Sequence, residues 1–75
     1  MIVFAWNCRG LGQSRTVQEL VRLVRTHCPN IVFLSETRQN KSYVESICRR
    51  LGFQNCLPFS IKGKGGGLAL YWNND

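Results

Sequence analysis

Two polar side chains stand where apolar segments end. Ile2-Val3-Phe4-Ala5-Trp6 runs into Asn7, and Ile31-Val32-Phe33-Leu34-Ser35 runs into Glu36. A carboxylate at the end of a buried strand is a natural ligand for a hard cation such as Mg²⁺, which keeps several waters and takes one or two protein carboxylates. An amide beside it can orient a substrate oxygen or a metal-bound water without adding charge. Plainer readings stand next to these. Glu36 also suits an acidic cap for the following loop or helix, and Asn7 suits a turn residue bonded to nearby backbone.

Other segments offer weaker chemistry. Gly10-x-Gly12 after an apolar run, with an acid at the end of the second run, has the layout of a dinucleotide-binding unit. Its third glycine position is Arg15, which would obstruct close helix–sheet packing. Lys64-Gly65-Gly66-Gly67 lacks the Gly-Lys-Ser/Thr ending of a phosphate loop and reads as a flexible connection. His27 has no nucleophile–base arrangement around it and reads as structural or exposed, facing a helix dipole. Cys8, Cys28, Cys48 and Cys56 are widely spaced with no Cys-x-x-Cys pair, which excludes an ordinary structural zinc site. Without a secretory signal they read as reduced thiols, mostly small buried hydrophobes.

The elements that must position Asn7 and Glu36 follow from periodicity. Ile2 to Asn7 is a short apolar strand of the kind buried on both faces. Cys8 to Gln13 is a loop, and Thr16 with Glu19 fits a capping box, Ser14 being the alternative N-cap. Val17, Leu20, Val21, Val24 and Cys28 recur at helical spacing until Pro29-Asn30 stops the helix. Ile31 to Glu36 is the second strand. Ser42 and Glu45 offer another capping box, Val44, Ile47, Cys48 and Leu51 a second helical stripe, Glu45–Arg49 an i,i+4 pair, and Gly52 a stop. Cys56–Ile61 and Leu68–Trp72 then read as two strands joined by residues 62–67.

The resulting order is β-α-β-α-β-β, an α/β unit ending in a hairpin. The first two strands should be parallel through a right-handed crossover, with both helices on one face of the sheet. The strands are apolar on both sides, so the other face asks for a second layer that this stretch does not supply. The chain is therefore expected to be part of something larger, and marginal and aggregation-prone by itself.

Composition sets the outer bounds. Seventy-five residues allow one small domain, and 44% apolar with 11% aromatic residues is ordinary globular content. No apolar run approaches the roughly 20 residues of a membrane span. The apolar start lacks the basic region and cleavage site of a signal peptide, so an intracellular location, the nucleus included, is expected. Ten basic against four acidic residues leave a net charge of +6. That balance suits a polyanionic partner, although Arg9, Arg15, Arg22, Arg25, Arg38, Lys41, Arg49, Arg50, Lys62 and Lys64 are scattered along the chain.

Three segments together resemble a known family. Phe4-Ala5-Trp6-Asn7-Cys8-Arg9-Gly10-Leu11-Gly12, then Pro29 through Thr37, then Gly66-Gly67-Leu68-Ala69-Leu70-Tyr71-Trp72 are similar to the N-terminal portion of the endonuclease/exonuclease/phosphatase (DNase I-like) family. The likeness is closest to endonuclease domains of plant LINE-type non-LTR retrotransposon polyproteins and covers essentially the whole chain. It implies a four-layer α/β sandwich, here partial with the second sheet missing, that hydrolyses phosphodiester bonds with Mg²⁺ or Mn²⁺. By that resemblance Glu36 is the metal-binding carboxylate, Asn7 the active-site amide beside it, and DNA the substrate.

The family's later Gly-Asp-x-Asn and Ser-Asp-His segments do not occur before the sequence stops at Asp75, and His27 does not match the catalytic histidine. Residues 1–75 are thus expected to be an N-terminal fragment of one such domain, inactive alone unless another chain supplies the rest. Two alternatives remain beside it. One is a basic nucleic-acid-binding module, whose affinity would fall with salt. The other is the dinucleotide-binding half-domain motivated by Gly10, Gly12 and Glu36.

Overall fold

Alternating side chains on short strands and one apolar stripe per helix build a two-layer α/β unit, seen here in a computed structural model describing residues 1–59 and 67–74. Its elements are β1 (Val3–Asn7), α1 (Ser14–His27), β2 (Ile31–Ser35), α2 (Lys41–Leu51), β3 (Asn55–Phe59) and β4 (Leu68–Trp72). The order expected from the sequence is the order observed. The strand expected over 56–61 begins one residue earlier, at Asn55, and is described as far as Phe59; residues 60 and 61, and the connection over residues 62–66, lie outside the described residues.

The sheet has the spatial order β1-β2-β4-β3. β1 and β2 are parallel, with Asn7 opposite Ser35, while β4 runs antiparallel to both β2 and β3. β4 thus enters the centre of the sheet, between the strand that precedes α2 and its own hairpin partner. β3 is left at an edge, where Pro58 is tolerated because an edge residue can forgo one ladder hydrogen bond.

Register sorts the strand residues into two faces. Val32, Leu34, Ala69 and Tyr71 are completely buried, and Phe4, Trp6 and Cys56 pack around them. Val17, Leu20 and Val24 of α1 and Val44, Ile47 and Cys48 of α2 join the same cluster, so both helices cover one face. Full burial of a Val or Leu side chain contributes about 1.5–3 kcal/mol. Tyr71 also satisfies its hydroxyl there by donating to the Val44 carbonyl at 2.8 Å.

The described residues leave the opposite face uncovered. Val3, Phe33, Leu57 and Phe59 are exposed. β1, whose apolar run has the pattern of a strand buried on both faces, alternates exposed and half-buried, as expected where both helices cover a single side and the second layer is not supplied. The second layer that the strands' apolar character asks for is not formed by the described residues.

Helix ends depart from the capping boxes. Gln13 is the N-cap of α1 and makes no side-chain cap bond, while Glu19 binds Arg22 of its own helix. α2 is capped by Asn40, whose side chain accepts from the Tyr43 N–H at 2.8 Å. Among the described residues the helical ion pair is Glu19–Arg22, not Glu45–Arg49. Cys28 is not part of the buried stripe: it ends α1 in the left-handed conformation (φ 46°), exposed, as Gly52 ends α2.

Candidate functional site

The parallel strands β1 and β2 end side by side, and the two loops leaving them are knitted together. The Cys8 N–H donates to the Ser35 carbonyl at 3.0 Å, and the Cys8 thiol donates to the same oxygen at 3.1 Å. Tyr43, in the first turn of α2, donates its hydroxyl to the Leu11 carbonyl at 2.8 Å. Gly10, at φ +81°, lets the first loop turn tightly. Leu11 is fully buried beneath this loop, which anchors it to the core.

The second loop carries two non-glycine residues in the left-handed region, Glu36 (φ 55°) and Arg38 (φ 51°). Such conformations cost free energy and persist where neighbours hold them. The neighbours are visible. Between these two residues Thr37 is buried and donates its N–H to the Gly67 carbonyl at 3.3 Å. A Cβ on Gly67 would lie 2.7 Å from the Phe59 carbonyl oxygen and 2.9 Å from the Thr37 hydroxyl, so the start of β4 presses directly on this loop. Spacing and composition, which mark Gly65–Gly67 as a flexible connection, do not reveal this close approach.

Asn7 and Glu36, selected from strand ends, are brought together. The Arg9 Nε donates to Glu36 Oε2 at 3.0 Å, and the Asn7 amide lies near enough to the Glu36 carboxylate to favour its charged form. Arg9 and then Asn7 hold the Glu36 carboxyl below its ordinary range, with Arg38 adding a weaker attraction. Glu36 is therefore ionised at neutral pH. Asn7 lies in the open-face row with Ser35, Leu68 and Phe59, so the site sits on the rim of the bare face.

Arg9 and Arg38 are the residues that the strand-end reading passed over. Their signal was faint, because single arginines in loops usually mark solvated surface. Folding changes their meaning. Arg9, Arg15, Arg38 and Lys41 are all exposed and all belong to the loops and first turns at this end of the sheet. Neither helix has an acid in its first turn. Positive charge there opposes the helix dipoles, which favour anions at helix N-termini.

One carboxylate and one amide oxygen are a donor set that suits Mg²⁺ or Mn²⁺, with water filling the remaining positions. Among the described residues no group of three histidine, cysteine, aspartate or glutamate side chains converges to hold a metal. The nearest thiol does not extend the set: burial pushes Cys8 up to about 11, so it stays protonated. Cys48 and Cys56 are likewise raised by burial, Cys56 to about 12. All four cysteines are free.

His27 does not join the site. It stacks on Phe4 with ring centroids 6.2 Å apart, at the far end of β1 from Asn7. Phe4 lies three residue steps along the strand from Asn7, about 10 Å at the usual rise. No helix is long and apolar enough to cross a membrane among the described residues. The sequence matches no protein-family model and no curated protein.

Proposed function

We propose that this chain is the N-terminal portion of a metal-dependent phosphodiesterase domain acting on DNA, of the endonuclease/exonuclease/phosphatase type found in retrotransposon polyproteins, and that it does not turn over substrate by itself. The observation that carries the reading is the meeting of Asn7 and Glu36 at the carboxyl ends of two parallel strands, the place where open α/β sheets bind ligands.

In this reading Glu36 supplies the charge that holds a divalent cation and Asn7 supplies a neutral oxygen or N–H that orients what the cation binds. A bound Mg²⁺ would polarise a phosphoryl oxygen and lower the pKa of water. The chain's own contribution is positional: Thr37 and Gly67 fix the loop, and Arg9, Arg15, Arg38 and Lys41 attract the phosphate backbone. A general acid or base is what these residues lack. The chain has one histidine, and it is stacked on Phe4 away from the site. The bare apolar face bordering Asn7 supports the view that a further layer completes the domain.

Plasmid nicking by the purified chain with Mg²⁺, beside EDTA and Glu36→Ala controls, tests this. The expected outcome is no nicking above the controls, with DNA binding that weakens steeply as salt rises. Nicking lost in both controls would overturn the inactive-alone part and make the chain a working nuclease. Salt-independent binding, or none, would remove DNA as the partner.

A further inference from the structure

The ion pair at the centre of the site is uneven. Arg9 is 76% exposed and touches Glu36 through one nitrogen, whereas the Glu36 side chain is 29% exposed and follows a backbone held in the left-handed region. Only Oε2 is engaged by Arg9, and the Asn7 amide approaches the same carboxylate. Exposed single-contact pairs are weak. Arg9 can therefore leave at small cost, while the carboxylate it leaves behind stays in place.

We propose that Arg9 is a built-in counter-cation of this site, holding Glu36 when no metal is bound and having to be displaced before a divalent cation can bind. The inference rests on the reading of Glu36 and Asn7 as metal ligands. It makes Arg9 a positioning residue that acts through Glu36, and it gives the released guanidinium a destination. An arginine set free beside a phosphodiester is suited to bind the phosphate, since its planar fork matches that group. Whatever engages Arg9 frees Glu36, so phosphate and metal would each favour the other's binding by the same factor.

Mn²⁺ titration of the full chain without DNA, followed by Mn²⁺ electron paramagnetic resonance, tests the proposal on four proteins: wild type, Arg9→Gln, Arg9→Lys and Glu36→Gln. Circular dichroism checks that each is folded. Removing the neighbouring positive charge should tighten Mn²⁺ binding by roughly two- to tenfold in Arg9→Gln. Arg9→Lys should stay near wild type, and Glu36→Gln should lose binding. Equal or weaker binding by Arg9→Gln, with Glu36→Gln still defective, overturns the role of Arg9 and leaves the metal ligands standing. Absence of binding in every variant, Arg9→Gln included, overturns both.

Discussion

The two faces of the sheet are made from the same strands and the same kinds of residue, yet they meet opposite surroundings. Leu34 and Phe33 are neighbours in β2; Leu34 is 0% exposed beneath the helices, and Phe33 is 36% exposed on the other side. Tyr71 and Trp72 divide in the same way along β4, one buried and one half-buried. Apolar character alone does not make a core residue. What decides is whether an element of the chain lies over that side of the strand, and here two helices serve one side only.

The sharpest way to break this contrast is a pair of adjacent substitutions followed by thermal or denaturant unfolding. Leu34→Ala should cost about 2–5 kcal/mol through lost burial and a cavity in the buried cluster beneath the helices. Phe33→Thr, which keeps a β-branched residue in the strand, should change stability by no more than about 0.5 kcal/mol and should reduce self-association. Equal losses from the two would mean that the open face is covered in solution.

A smaller effect belongs to the polar contact inside the covered face. Tyr71→Phe keeps the ring that lies 6.2 Å from Phe53 and removes the bond to the Val44 carbonyl. The expected loss is about 1 kcal/mol, read from the denaturation midpoint. A neutral result would mean that packing of the ring alone fastens α2 to β4.

The smallest effect is at the rim, where solvent screens the charges. Arg9 and Asn7 depress the Glu36 pKa below the ordinary 4.5, so the ionised carboxylate favours the folded state. That stability is present above the unfolded value and is lost as pH falls through the lower folded value. The melting temperature of wild type should therefore exceed that of Glu36→Gln near neutral pH and converge with it in acid. Added salt should narrow the gap as well. A constant difference across pH would mean that the charge of Glu36 contributes nothing to folding.

Much of this arrangement was legible before folding was considered. The strand Leu68–Trp72 was read with its observed bounds, and the parallel pairing of the first two strands followed from the helix between them. Asn7 and Glu36 were found by a simple rule, polar residues ending apolar strands. Local patterns failed where they recur by chance. Ser/Thr-x-x-Glu appears inside both helices, but Gln13 and Asn40 begin them, and Glu19 turns to Arg22. The stripe that seemed to include Cys28 overran the helix, because Cys28 leaves helical geometry in the left-handed region just before Pro29.

Element type, element order and the strand-end polar pair were determined by the sequence alone, because periodicity and chain stops act over a few residues. The tertiary structure decided what depends on contacts between distant segments. It put β4 between β2 and β3, pressed Gly67 against Thr37, and joined Arg9 to Glu36 across 27 residues. It also gathered Arg9, Arg15, Arg38 and Lys41 at one end, although nothing in their spacing groups them. Two parallel strands, each followed by a helix, bring both strand-end loops to the same edge, and charges far apart in the chain become neighbours there.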